Sequence, residues 1–329
     1  SRWSGGGRTV SRRARGGRSR PRPGTPFGRR CSRPAPLRAG PPELRGSTVA
    51  AAARGGDNDH ALATPTPRRA RTLAFANQKG GCGKTTTAVN LAGALVAQGE
   101  RVLVIDNDPQ AHATLALGVA PDKGASMAEV LFGDRPLDKI LRRVQSGLFL
   151  APASLDLGRF EAGASRLLRP EAALATALRD LSAAVDWVLI DCPPRADGIL
   201  TANALVAADT VCLVVETGAF SLQGAIRAKG LLERMASDLD TELDLKVIAT
   251  LFNRRSQFAR EVLIGMQARF GELLFDTAIR ESVRLREAAG HGVPVQVLDP
   301  ESKAAGDFRA LAEEVSAYLR RREPELQPD

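Results

Sequence analysis

The stretch Asn77-Gln78-Lys79-Gly80-Gly81-Cys82-Gly83-Lys84-Thr85-Thr86-Thr87 constrains this chain more than any other. Its glycines allow backbone N–H groups to converge on phosphate oxygens, and a helix that starts directly after them adds the positive end of its dipole. Upstream, Thr72 to Ala76 reads as a short buried strand. Downstream, Thr86 to Gln98 carries Val89, Leu91, Leu95 and Val96 at helical spacing. Strand, glycine turn, Gly-Lys-Thr and helix, in that order, form the context of a phosphate-binding P-loop. The reading gives Gly80, Gly81, Cys82, Gly83, Lys84, Thr85 and Thr86 to a nucleotide. Lys84 reaches the β- and γ-phosphates and Thr85 ligates Mg²⁺.

Two apolar strands run into carboxylates. Arg101 to Ile105 leads to Asp106-Asn107-Asp108-Pro109-Gln110, and Trp187 to Ile190 leads to Asp191-Cys192-Pro193-Pro194. Strand ends are where an open α/β sheet places its catalytic groups. Asp191 is expected to orient Mg²⁺ through water, with the metal bridging phosphate oxygens. Asp106 has two readings, a support for loop and metal or a strand-end cap.

The strict P-loop pattern wants a glycine five residues before Gly83, where this chain has Gln78, and an extra lysine, Lys79, opens the loop. This resembles the deviant Walker A motif of the ParA/MinD family of ATPases. The resemblance implies that Lys79 reaches across a dimer interface to the nucleotide of the other subunit, which makes Lys79, Lys84 and Asp108 the catalytic set, Asp108 placing the attacking water. Asp191-Cys192-Pro193-Pro194, Leu200 to Leu205, Val283 to Ala288, His291 to Val295 and Asp299 to Ala305 are similar to successive segments of ParA/Soj-type partitioning ATPases. They cover about residues 72–320.

That likeness implies an ATP-bound homodimer that holds DNA without regard to sequence and is released when a ParB-like centromere-binding partner stimulates hydrolysis. Arg255 and Arg284 match positions that bind DNA in Soj-like proteins, with Arg254, Arg280 and Arg286 as neighbours, and Asn253 is placed at the adenine. The chain departs from the pattern twice. Arg280-Glu281 stands where the family has Pro-Arg, and Arg195-Ala196-Asp197-Gly198 stands where it often has Ser-Leu-Gly.

Composition limits these readings. The chain has 329 residues and a net charge of +9. Residues 1–71 hold 17 Arg against 3 acidic residues, a net +14, which leaves −5 to the remainder. An ATPase domain of that charge holds DNA only through clustered arginines. Residues 1–71, rich in Arg, Gly and Pro, are expected to be a disordered extension. They read as a transit peptide, a nucleic-acid tether, or a translated upstream extension, since no Met precedes Met127. Residues 72–322 are expected to be the ATPase domain and 323–329 a polar tail.

No apolar run approaches the roughly 20 residues that cross a bilayer, so no membrane partner is expected; the cysteine usage fits a cytoplasmic protein, and the resemblance implies that it is nucleoid-associated. Cys31, Cys82, Cys192 and Cys212 lack paired metal spacing, and disulfides are not expected. Cys82 reads either as a redox-sensitive thiol or as a filler of the loop. His60, His112 and His291 also lack ligand spacing.

The remaining elements alternate. Strands are expected at Leu148 to Leu150, Thr210 to Val215, Leu243 to Leu251 and Leu273 to Phe275, and helices at Pro170 to Ser182, Phe220 to Ala236, Phe258 to Phe270 and Ala304 to Arg322. The order predicts an α/β fold, a P-loop NTPase with a mostly parallel sheet covered by helices on both faces. Among other functions, a MinD-like regulator of the membrane would need a basic amphipathic terminal helix, whereas this chain ends polar and proline-broken. A ParA-like ATPase that positions another cellular cargo stays open as the alternative.

Overall fold

The structure, a computed structural model, describes residues 69–121, 125–181 and 185–322. The expectations for the extension over 1–68 and for the tail over 323–329 fall outside them. β1 (Arg71–Ala76) is followed by α1 (Lys84–Ala97), β2 (Val102–Asp106), α2 (His112–Ala116), α3 (Met127–Phe132), β3 (Arg142–Gln145) and β4 (Leu148–Ala151). Then come α4 (Leu157–Gly163), α5 (Ala173–Arg179), β5 (Trp187–Asp191), α6 (Ile199–Ala207), β6 (Thr210–Glu216), α7 (Ser221–Asp238) and β7 (Leu245–Thr250). α8 (Gln257–Phe270), α9 (Val283–His291), α10 (Val295–Leu298) and α11 (Lys303–Arg322) complete the described chain.

The strands form one sheet in the order β3-β4-β2-β5-β1-β6-β7. Neighbours are parallel except β3, which runs antiparallel to β4 at the edge. The inner strands read as continuous apolar runs because helices cover both faces. Side chains alternate between two cores. Leu73, Phe75, Val102, Val104, Trp187 and Leu189 face α1, α9 and α11, while Ala74, Ala76, Leu103, Ile105, Val188 and Ile190 face the helices α3 to α8. The edge strand β3 escapes sequence reading because Arg142-Arg143-Val144-Gln145 is polar, as suits an edge.

Several expected boundaries shift by one or two residues, and two changes go further. The first strand begins at Arg71 rather than Thr72, and Arg69 is already tied to Asp209 at 3.2 Å. The helix expected from Pro170 to Ser182 starts as a 3₁₀ turn, Pro170–Ala172, and its α-helical part ends at Arg179. Asn203 of α6 organises that turn, accepting from the Leu174 N–H at 2.9 Å and donating to the Pro170 carbonyl at 2.7 Å.

The strand expected at Leu273 to Phe275 does not form. Gly271–Leu273 is a 3₁₀ turn, and only a single parallel bridge joins Leu274 to Val247. The next two N–H groups, of Asp276 and Thr277, are taken by the Glu314 carboxylate of α11 at 2.6 and 3.0 Å. With those donors engaged by a helix side chain, pairing beside β7 breaks off after the Phe275 N–H and resumes only where the Ile279 N–H donates to the Ala249 carbonyl at 2.8 Å.

Candidate nucleotide site

The site lies at the C-terminal ends of the parallel strands, where β1 turns into α1. Gly81 (φ 76°) and Gly83 (φ 95°) sit in the left-handed region, so an L side chain at either would strain the turn. Gly83 is also the N-cap of α1, with no side chain satisfying the first helical N–H groups. Those donors and the helix dipole together face the loop, the arrangement that binds anions. Thr250, at the end of β7, donates through its hydroxyl to the Cys82 carbonyl at 2.6 Å and so ties the loop to the far side of the sheet.

Lys84 is buried, its Nζ folded back on the Lys79 carbonyl at 3.3 Å. Lys79 points elsewhere. Its ammonium pairs with Glu216 at the end of β6, its side chain is half exposed, and it does not line the cleft of its own chain. Cys82 is fully buried and its Sγ donates to the Lys79 carbonyl at 3.2 Å. Burial pushes its thiol up, as it does for Cys192 and, to about 12, for Cys212. A buried thiol with raised pKa is inert, which favours the filler reading of Cys82.

Three aspartates crowd beside the loop. Asp106 and Asp191 are register partners on β2 and β5 and both are fully buried. Asp191 accepts from the Thr85 hydroxyl at 2.6 Å through one oxygen, while its other oxygen, Oδ1, is buried without a partner. Burial, reinforced by the charge of Asp106, raises its carboxyl well above the usual range. Asp106 is likewise raised, to about 6, by burial, against the hydrogen bonds of Thr114 and Asp108.

Both Asp106 oxygens are engaged. Oδ2 receives the Thr114 N–H and hydroxyl, each at 2.7 Å, and Oδ1 receives the Asp108 N–H at 3.2 Å. Asp106 therefore frames the loop that carries Asp108. Asp108 has one oxygen on the Gln110 N–H at 2.9 Å and lines the cleft.

The residues fit Mg²⁺ as a partner of phosphate. Mg²⁺ takes oxygen ligands and usually keeps several waters, binding through one or two protein groups plus substrate phosphates. The Thr85 hydroxyl and the orphaned Asp191 oxygen supply such a pair. Among the described residues no cluster of three or more His, Cys, Asp or Glu could hold a metal ion.

The cleft has a volume of about 630 Å³. Beyond Gly80, Gly81, Gly83, Lys84, Thr85, Thr86 and Asp108 it is lined by apolar residues that sequence reading did not assign, among them Leu115 of α2, Leu251, and Leu285 and Ala289 of α9. In the sequence Val283 to Ala288 is marked by its likeness to a ParA/Soj segment, and that likeness does not say which cavity the segment borders. Asn253, expected at the adenine, does not line the cleft. It is exposed, and its Oδ1 accepts from the Arg255 N–H at 3.0 Å.

The expected DNA contacts divide. Arg255 is exposed, and its side chain forms no ion pair among the described residues. Arg284 is half exposed and pairs with Glu287 at 2.7 Å and Asp299 at 3.2 Å. Arg280 forms a bidentate pair with Asp307, and Arg286 lies 3.6 Å from Glu281.

A glycine loop between the first strand and its helix, with carboxylates ending β2 and β5 on one side of β1, defines a P-loop NTPase. Comparison with known proteins narrows the class. The profile of the family described as an AAA domain matches residues 70–245. The chromosome partitioning protein ParA of Caulobacter vibrioides is 37% identical over 258 residues, covering 77% of this chain and 96% of that protein. The chromosome-partitioning ATPase Soj of Thermus thermophilus is 40% identical over 253 residues, covering 76% and 97%. Among solved structures, cobyrinic acid a,c-diamide synthase from Mycobacterium smegmatis with bound ATP analog and magnesium is similar with a TM-score of 0.66 and 34% identity, over 76% of this chain and 96% of that one. The chain belongs to the ParA/Soj family of P-loop ATPases.

Proposed function

We propose that this chain is a Mg²⁺-dependent partitioning ATPase whose ATP-bound homodimer holds DNA without sequence preference and lets go on hydrolysis stimulated by a ParB-like partner. The observation that carries the reading is the pairing of a complete phosphate cradle with a second lysine that sits outside it. Lys79 opens the loop yet turns away from its own cleft to Glu216, and in this reading it exchanges that carboxylate for the phosphates of a nucleotide held by a second copy. The names of the relatives supply the cargo, a chromosome.

In this reading Lys84 and the first N–H groups of α1 hold the β- and γ-phosphates, and Thr85 and Asp191 would hold Mg²⁺. When bound, the ion neutralises charge on the phosphate oxygens. Asp108 orients the attacking water, and Asp106 keeps the Asp108 loop in place. Lys79 supplies the cation in trans; such groups contribute about 10³–10⁵ in rate in other nucleotide hydrolases. DNA is held by Arg255, with Arg284 joining once its acidic partners are displaced by phosphate. The protein is then cytoplasmic and nucleoid-associated. The apolar face of α11, Phe308, Leu311, Val315 and Leu319, is buried in the core, so it is not open to a lipid surface.

Retention of duplex DNA with ATP, ADP and no nucleotide tests the proposal. The cut that removes the Arg-rich segment belongs before Arg69, because Arg69 and Arg71 are part of the fold. The expected result is ATP-dependent retention by both full-length chain and residues 69–329. Retention that ignores nucleotide and vanishes with residues 1–68 would overturn it.

A further inference from the structure

The roles above leave one buried polar residue beside the carboxylates without a task. Asn107 stands between Asp106 and Asp108, is fully buried, and belongs neither to the phosphate cradle nor to the pair that would hold Mg²⁺. Its backbone N–H donates to the Asp191 carbonyl at 2.9 Å, and its Nδ2 donates to the Leu200 carbonyl in the first turn of α6 at 2.8 Å. The same side chain leaves its Oδ1 buried with no hydrogen-bond partner among the described residues. A buried oxygen without a donor costs stability that an apolar side chain of similar size would avoid. Such an exception calls for a reason beyond packing.

Asp191 and Leu200 flank a single loop. Residues 192–198 leave β5 after Asp191 and enter α6, and Pro194 within them lines the nucleotide cleft, its Cβ 4.0 Å from where a Cβ on Gly80 would stand. Asn107 therefore clips this loop at both ends, while the next residue along its own backbone, Asp108, lines the same cleft. Two further bonds steady the loop, from the Cys192 N–H to the Phe75 carbonyl at 3.2 Å and from the Thr201 hydroxyl to the Arg195 carbonyl at 2.5 Å. Neither reaches the segment that carries Asp108.

We propose that Asn107 is a positioning residue of the ATPase, an amide that fixes the spacing between Asp108 and the Asp191 loop and so keeps the carboxylates assigned to water and to metal in register. The inference rests on the ATPase reading and deepens it. Asn107 touches no phosphate. It acts through its neighbours, and a misplacement of about 1 Å at reacting groups can cost about 10²-fold in rate. Asp106 holds the other end of the Asp108 loop through the Thr114 N–H and hydroxyl, so the loop is gripped on both sides.

The test sets full-length Asn107→Ala and Asn107→Ser against wild type and against Asn203→Ala, a second fully buried amide whose partners Leu174 and Pro170 do not line the cleft. Steady-state phosphate release, affinity for a non-hydrolysable ATP analogue and melting temperature are read for each. Expected for Asn107→Ala is a fall in kcat of roughly 10–100-fold with analogue affinity within about threefold of wild type. Asn107→Ser, which keeps a short donor, should fall less, and Asn203→Ala should lose melting temperature while its kcat stays. A kcat for Asn107→Ala within about twofold of wild type overturns the inference. So does a loss of kcat that Asn203→Ala matches, or failure of both Asn107 variants to fold, because the amide then serves the fold alone. Wild type that releases no phosphate, alone or with DNA, fails the ATPase reading itself and takes this inference with it, an outcome distinct from active wild type with an equally active Asn107→Ala.

Discussion

The two ends of the sheet treat charge in opposite ways. At the N-terminal ends of the strands Asp186, Asp209 and Asp244 each have a basic or hydroxyl partner. Arg101 grips Asp186 through its backbone N–H and guanidinium at 2.8 to 3.1 Å, and that hydrogen bonding holds the Asp186 carboxyl below its usual range. Asp209 receives the Thr72 N–H at 2.8 Å and faces Arg69. Asp244 takes the Thr210 hydroxyl at 2.6 Å, the Tyr318 hydroxyl and Arg322. At the C-terminal ends Asp106, Asp191 and Asp108 crowd together, and one Asp191 oxygen has nothing to bind. The first arrangement stabilises the fold; the second destabilises the bare chain and would be relieved by the cation and phosphates proposed for the site.

The sharpest test of that contrast is Asp108→Ala. On the proposed role of Asp108 in orienting water, its loss should reduce phosphate release by roughly 10²–10⁴-fold and leave an ATP-loaded form that stays on DNA. Undiminished release would remove Asp108 from the mechanism. Lys79→Ala comes next, with nucleotide binding by the single chain kept and the ATP-dependent dimer lost; light scattering that still finds dimers counts against the trans lysine.

A smaller effect concerns pH. Asp106 and Asp191 both titrate above the ordinary carboxylate value of 3.8, Asp106 at about 6. The folded chain therefore holds protons that the unfolded chain releases. The associated stability is fully present below the unfolded value and is lost as pH rises through about 6. Without nucleotide and Mg²⁺, the melting temperature should decline from pH 5 to pH 7, and Asp191→Asn should flatten the decline. A melting temperature that climbs over this interval breaks the account of the crowded end.

At the other end, Tyr318→Phe removes a hydroxyl that donates to Asp244 at 2.6 Å. It should cost about 1–2 kcal/mol in chemical denaturation and leave ATP turnover alone. The least effect is expected from Arg255→Glu, which should lower the salt slope of DNA binding by about 1 while sparing nucleotide binding. An unchanged slope would remove Arg255 from the DNA surface.

How far the sequence could be read differs between these ends. The P-loop was legible because its chemistry is local: glycines, a lysine and a helix start within eleven residues. Asp108 and Asp191 were legible as strand-end carboxylates. The pairs at the opposite end were not, since Arg101 and Asp186, or Asp244 and Tyr318, lie on separate elements and meet only through the strand order. Glu216 as the partner of Lys79 was hidden for the same reason, being 137 residues away on β6. The short strand at Leu273 to Phe275 was misjudged because apolar content does not reveal that Glu314 takes the neighbouring N–H groups.

From its residues alone, the chain settled its class, its phosphate cradle, and the apolar runs that make a buried parallel sheet, because backbone conformation and hydrophobic period are local properties. Tertiary structure decided the rest. It seated Asp106 under Thr114 as a frame for its loop, left an oxygen of Asp191 unpartnered, kept Asn253 out of the cleft and turned Lys79 toward Glu216. These outcomes depend on which distant groups compete for each hydrogen bond in a low-dielectric interior, and only the order and register of the strands fix that competition.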